Sequence, residues 1–546
     1  AIFNSCDGLG LARELAYLHI PQLIVMREPV PDRVAQEFLK YFLATYSQGE
    51  TLYLAVREAR KRLQGLEGQF PCATWLPVIC QHPTDVPATW QTLKKPKQAE
   101  PQAQRDRPAP PNQWPHRLQR VRPQWSWVLA ASAIATTAVM GARLMGWFQP
   151  WEIKAFDYLM QLRPKEPKDD RLLIIEITEQ DVADQNRQDP QKPKTVSLSN
   201  RTLAALLEKL EPLKPRVIGL DIYRDYPIGR EYSDLALKLK TSDRLITICK
   251  TGDPNSTAPG IAPPPDVPAT AYLERLGFSN LSSDRDTAIR RQLLAMEPSV
   301  ICPADYSLNI QLALNYLAGE NIHLEFTPTG NWKLGTVIIT PMGFPTGGYF
   351  KVDGRGHQIL LNYRSPENAS SFHTPEEIAS RISLGKALAG GLTAANVTDK
   401  IVLIGTTAHS FNDYLPTPYL NEQGELKQIP GVMFHAQMTS QIISRVLNGR
   451  PLLWALPLWA EGVWIFGWAL LGSLLVFYLH RFAILSLASG AAIALLYGLC
   501  LVLLVQFGCW LPSVPTAIAC MGSLLTLAAS SLRLTPSSSL PIVPQE

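Results

Sequence analysis

The sequence predicts a mixed, mainly parallel α/β fold, preceded by a smaller α/β unit and carried on four membrane-spanning helices. Three observations lead there. First, four long apolar segments occur, at residues 125–148, 452–479, 482–505 and 510–532. Each matches the roughly 20 residues a helix needs to cross a bilayer. Second, residues 149–450 are polar on average but hold short apolar runs separated by helical stretches, the spacing of a parallel sheet covered on both faces. Third, residues 1–83 show the same alternation on a smaller scale.

Composition agrees. A chain of 546 residues is expected to form two or three units. Lys+Arg number 51 against Asp+Glu 47, a net charge of +4. That balance, with no basic run carrying interleaved aromatics, argues against a nucleic-acid partner. Eight cysteines form no CxxC pair and no Cys/His cluster at zinc spacing. No GxGxxG, P-loop or HExxH motif occurs, so neither a metal nor a cofactor is expected. The chain opens at Ala1 with nothing resembling a signal peptide. Its first unit is marginal in size for a domain, so the chain is expected to be a fragment of a longer protein.

In that first unit, Ala1–Ser5 reads as a strand end, Cys6-Asp7-Gly8-Leu9-Gly10 as a turn and Leu11–Leu18 as a helix. Gln22–Met26 is a strand. Val34, Phe38, Leu39, Phe42 and Leu43 mark one helix face, and Thr51 opens a second helix with a basic outer surface. Trp75–Cys80 is a closing strand. The stretches 3–10, 19–31 and 73–79 resemble the C-terminal part of a CHAT domain, a caspase-like cysteine-peptidase fold. The resemblance implies that Cys6 stands at the nucleophile position and that its His partner would precede Ala1. A thiol needs an adjacent base or a lowered pKa to act. Read from chemistry alone, an inert buried thiol is the better account of Cys6, and only the resemblance brings the catalytic reading level with it. His19 reads as structural.

Residues 84–124 are rich in Pro, Gln, Lys and Arg, the composition of a disordered linker. The linker ends on Arg117, Arg120 and Arg122, just before the first span. Arg481 follows the second span and Arg533 the fourth. All five fall on one side if the chain crosses four times, which places both termini in the cytoplasm. The last three spans are expected to form a compact bundle, with Ser486 and Gly490 as a small-residue packing face. Glu461 is expected to reach the headgroups. The span centres lack the polar residues that a channel or transporter would need.

In residues 149–450, Leu172–Thr178, Val217–Tyr223, Leu245–Lys250 and Ile401–Thr406 read as buried strands. Thr202–Leu210 (capped by Ser199 or Asn200), Ser307–Leu317 and Pro375–Leu388 read as helices. Residues 349–353 and 358–363 read as a hairpin, and Trp332–Thr340 as a neighbouring strand. The stretches 151–163, 174–181, 217–227, 276–286, 401–407 and 411–414 resemble the second class of CHASE domain, an extracellular sensory module. Members of that class usually pass signals to a C-terminal kinase or cyclase. Here only a short Ser/Pro tail, 533–546, follows the last span, so output is expected at the CHAT-like end.

Ligands of open parallel sheets bind past the carboxyl ends of the strands. That logic singles out Glu176 and Asp181, then Asp221, Arg224 and Asp225, then Thr406 and His409, with Asp413, Arg285 and Arg290 nearby. The competing reading of these residues is caps and salt bridges. Spacing leaves open whether Cys249 and Cys302 pair. The expected protein is a multi-pass receptor of a bacterial inner membrane, acting as a homodimer. It would sense an unknown small molecule or physical signal outside. Inside, the CHAT-like unit would act on a protein substrate or serve as a non-catalytic docking module. A His-Gly pair upstream of Ala1 would favour catalysis.

Overall fold

The computed structural model of the chain describes residues 22–26, 31–81, 90, 119–120, 124–189, 196–252, 259–366, 374–479 and 481–533. They fall into two compact units, divided between Pro115 and His116. Cys6, His19, the elements expected over 1–18 and most of the expected linker lie outside the described residues.

In the first unit, β1 (Gln22–Met26) and β2 (Pro77–Gln81) pair antiparallel. Between them run α1 (Asp32–Tyr46) and α2 (Leu52–Leu63). Val34, Phe38 and Phe42 are buried on α1, whereas Leu39 and Leu43 lie 40% and 41% exposed at the edge of that stripe. Thr51 caps α2, accepting a hydrogen bond from the Leu54 amide at 3.3 Å. Three basic residues, Arg60, Lys61 and Arg62, stand in its last turn, where they complement the helix dipole.

The second unit begins with α3 (Trp125–Leu144) and α4 (Gln149–Gln161). Then come β3 (Leu172–Ile177), α5 (Glu179–Gln188), α6 (Asn200–Leu210), β4 (Val217–Asp221), α7 (Ser233–Thr241) and β5 (Leu245–Cys249). They are followed by β6 (Leu276–Phe278), β7 (Ile289–Ala295), α8 (Leu308–Ala318), β8 (Leu324–Phe326), β9 (Trp332–Leu334), β10 (Val337–Ile339) and β11 (His357–Leu360). The domain closes with β12 (Ser380–Ser383), β13 (Ile401–Thr406), the hairpin β14 (Tyr414–Leu420) and β15 (Leu426–Pro430), and α9 (Gly431–Asn448). The remaining spans are α10 (Leu458–Tyr478), α11 (Phe482–Phe507) and α12 (Ser513–Ser531).

Six strands form one sheet in the order β12-β3-β13-β4-β5-β6, and every neighbouring pair is parallel. The central strands bury both faces. Leu172 and Ile174 enter one core and Leu173, Ile175 and Ile177 the other, which is why the run does not alternate with polar residues. Helices α8 and α9 cover the first face. They come close enough that a Cβ on Gly405 would sit 2.5 Å from Val432, and one on Gly277 2.5 Å from the Leu308 backbone. Helix α6 covers the second face through Leu203, Leu206, Leu207 and Leu210.

Several expected elements change. Residues 375–388 are not a helix. They form a short 3-10 turn, then β12, which adds to the sheet beside β3, and only from Leu384 onward does the chain turn helical. Sheet pairing outweighs local propensity at this edge. The hairpin expected over 349–363 is absent, because β11 pairs instead with β7, antiparallel, and Tyr349 is wholly buried in a turn. Trp332–Thr340 is two strands, β9 and β10, turning at Gly335. Helix α9 carried no visible signal. Residues 431–444 are buried all round, including Gln437, Ser440 and Gln441, so no amphipathic stripe marks it.

Four described helices, α3, α10, α11 and α12, are long and apolar enough to cross a membrane. The tight group is α3, α10 and α12, not the last three. Ser132 on α3 lies 3.1 Å, Oγ to Oγ, from Ser473 on α10. Ser523 on α12 donates to the Ala469 carbonyl at 2.6 Å, and a Cβ on Gly472 would strike the Cys520 carbonyl. Ser486 and Gly490 are exposed on α11, and a Cβ on Gly490 would meet no described atom within 4 Å. The start of α3 and the end of α12 share one end of the bundle, where Gln119–Arg120 pairs with Leu532–Arg533.

Candidate functional site at the carboxyl edge of the sheet

The strand ends β3, β13 and β4 stand side by side, so the residues that follow them gather at one edge. Most are occupied in holding the backbone. Thr178 caps α5, and Asp181 completes the capping box by accepting from the Thr178 amide at 2.9 Å and from its hydroxyl at 2.6 Å. The other Asp181 oxygen accepts from the Gly385 amide at 2.7 Å and so ties α5 to the segment after β12. Glu176 faces Arg381 at 3.0 Å, and burial raises its carboxyl pKa against the pull of that guanidinium.

Arg224 is buried. It donates to the Leu198 carbonyl at 3.0 Å and to Asn200 Oδ1, and stacks on Tyr226, so it fastens the loop after β4 to the start of α6. Asp225 is exposed. Thr406 donates to the Ile177 carbonyl across the β3–β13 ladder at 3.4 Å. His409 is exposed and stacks on Tyr414 with ring centres 4.3 Å apart. Most of these side chains are therefore engaged with the backbone or with neighbouring side chains.

Asp221 is different. It ends β4 with its side chain 9% exposed, and His435 of α9 points Nε2 toward it at 3.8 Å, beyond hydrogen-bond reach. Asp413, from the loop after β13, completes the group, with Lys250 the nearby cation. Burial pushes both carboxyls up, to about 7, with the Asp221 charge contributing at Asp413, so the two titrate as a unit. The same burial pushes His435 down to about 4, and its buried Nδ1 has no hydrogen-bond partner. The three side chains are held away from water, and any change in their charge bears on β4, the loop after β13 and α9 together. His435 gave no sequence signal, because it stands in the unmarked helix α9. Among the described residues no three His, Cys, Asp or Glu side chains are placed to hold a metal.

A second charged centre is built around Arg290. Arg290, expected in a turn, is on β7 and buried. Its Nε and Nη2 donate to the two oxygens of Asp157 at 2.7 Å, and its Nη1 donates to Asp284 at 2.9 Å and Asp286 at 2.8 Å. Burial pushes Asp157 up to about 6 despite that pairing. Cys249 and Cys302 are joined by a disulfide, with Cα atoms 5.3 Å apart. Glu461, expected among headgroups, is instead buried against Arg143 of α3 at 2.7 Å.

Two family models match the chain. The CHASE2 domain model matches residues 134–474, and the CHAT domain model matches residues 4–104. No curated protein and no solved structure matches it.

Proposed function

The chain belongs to the CHASE2 domain family, and from that premise we propose that it is a membrane receptor whose sensory domain regulates its CHAT domain across the bilayer. The observation that carries this reading is the joining of a CHASE2 domain to a CHAT domain in one chain that has four spanning-length helices. Residues 149–450 lie outside the cytoplasm, and both termini lie on the cytoplasmic side of a bacterial inner membrane. The Cys249–Cys302 disulfide supports that orientation, because such bonds persist in oxidising compartments. So does the pairing of Gln119–Arg120 with Leu532–Arg533, which brings two basic positions to one end of the bundle. The signal is a small molecule or a physical change, read at the carboxyl edge of the sheet where Asp221, Asp413 and His435 meet. A signal acts by binding one charge state or arrangement of that group better than another.

Inside, Cys6 is the nucleophile of a cysteine peptidase acting on a protein substrate. The test is a peptidase assay on the full-length protein, wild type beside Cys6→Ala. Activity that vanishes in the variant supports catalysis. Equal activity, or none in either, leaves the CHAT domain as a docking module under the same receptor.

A further inference from the structure

The outer domain meets the spans at several places, and one of them, the turn Thr346–Tyr349, is gripped from both sides. On the domain side the Tyr349 hydroxyl donates to Asp284 at 2.7 Å, and Asp284 is held in turn by Arg290 and by Arg291 at 3.1 Å. On the membrane side the Gly347 carbonyl accepts from Arg143 Nη2 at 2.7 Å, and the same guanidinium makes a two-point pair with Glu461. Arg143 is 1% exposed and Glu461 1% exposed. One carbonyl of the sensor turn therefore completes the hydrogen bonding of a buried ion pair that joins α3 to α10. Such a pair gives little net stability but fixes geometry, because a buried charge without its partners is costly.

The grip has a second point. Trp510, just before α12, lies wholly buried against the same turn. Its ring centre is 5.7 Å from Tyr349 and 4.4 Å from Phe156. A Cβ on Gly347 would fall 2.6 Å from that ring, and Gly347 has φ near 54°, so no larger residue fits there. Glu152 of α4 accepts from the Ser513 and Val514 amides at 3.0 and 2.9 Å and so holds the first turn of α12. The turn thus touches α3 through Arg143 and the segment before α12 through Trp510, and reaches α10 through the Arg143–Glu461 pair. Asp157 links Arg290 to α4, which places Asp284, Arg290, Asp157 and Glu152 in one connected frame.

We propose that the Thr346–Tyr349 turn is the contact through which the outer domain sets the register of α3 against α10. Asp284 and Arg143 act as positioning residues at its two ends. This deepens the receptor reading and rests on it for its purpose, although not for its test. A shift of Arg290 and Asp284 in the domain moves Tyr349, and the Gly347 carbonyl carries that movement to Arg143.

The register can be read below the contact, where Ser132 and Ser473 face each other. The full chain in native membranes would carry Ser132→Cys and Ser473→Cys, with Cys6, Cys72, Cys80, Cys500, Cys509 and Cys520 replaced by Ala. The rate of oxidant-driven cross-linking between the two new thiols is then measured. Tyr349→Phe and Asp284→Asn, both in the outer domain, are expected to change that rate at least fivefold. Gly347→Ala, which presses on Trp510 from the turn itself, is expected to change it as well. Arg285→Ala, an exposed neighbour, is expected to leave it within twofold. Folding of each variant is checked by the cooperativity of its thermal unfolding. A rate within twofold of the parent in every variant that folds cooperatively overturns the proposal. The cross-link does not involve the CHAT domain, so a receptor without regulated output would leave this proposal standing, and its failure would leave the receptor reading to the peptidase assay.

Discussion

Asp221, Asp413 and His435 hold ionisable groups away from water without a full set of partners, so pH must bear on stability there. The carboxyl pair has its pKa raised to about 7 from an ordinary value of roughly 3.9. Its stabilising contribution is full below the unfolded value and is lost as pH rises through about 7. His435 has the opposite sign. Its folded pKa is depressed to about 4, so its contribution is present above roughly 6.5 and is lost as pH falls through about 4. Between pH 8 and pH 5 the two carboxyls outweigh the single imidazole. The unfolding temperature of the full chain in detergent is expected to rise over that interval, and to rise more steeply in His435→Gln. A flat or falling profile counts against the assignment. Asp413→Asn is expected to raise stability at pH 8 by about 2 kcal/mol, since it removes a desolvated charge. Asp181→Ala, which loses the capping box and the Gly385 amide together, is expected to cost about 1–2 kcal/mol, read from unfolding curves.

Elements answer to different tests. The disulfide closes a loop of 53 residues, joining the end of β5 to the segment before α8. Cys249→Ser with Cys302→Ser is expected to cost about 4 kcal/mol by the loop-entropy argument, checked by denaturant unfolding of the oxidised and double-variant proteins. In the spans, Glu461→Leu strands Arg143 in the bundle and is expected to destabilise it by about 3–5 kcal/mol. Glu461→Leu with Arg143→Met is expected to recover most of that loss, because an apolar pair of similar volume needs no partner. Recovery is judged by the fraction of chain that resists mild heating in detergent. If the double variant is no better than the single, the pair has a role beyond mutual neutralisation.

At the scale of the whole molecule, the two family matches, the four spanning helices and the gripped turn join a sensor to its membrane anchor. Cysteine labelling in intact cells tests the orientation. A thiol introduced at Asp225, which is exposed, is expected to react with an impermeant reagent before lysis. Reaction only after lysis would place the CHASE2 domain on the cytoplasmic side and remove the basis of the receptor reading.

Much of this was readable from residues alone, and the reason is local. Apolar runs such as Leu172–Ile177 and Ile401–Thr406 can only be buried strands when both faces are covered, and lengths near twenty apolar residues mark spans wherever they fall. Asp221 was legible as a strand end, and the capping role of Asp181 was the competing reading of that residue. The partners were not legible. His435 lies 214 positions beyond Asp221 in a helix without a polar face, β12 was hidden in a stretch of helical propensity, and Arg143 meets Glu461 across 318 positions. Which buried charge meets which depends on the packing of helices across the sheet and the bundle, and no local spacing encodes that. The sequence alone determined the fold class, the four spans and the family. Only the tertiary structure decided which ionisable groups share a site and which turn holds the sensor to the membrane, because desolvation and close contact arise only once distant segments fold together.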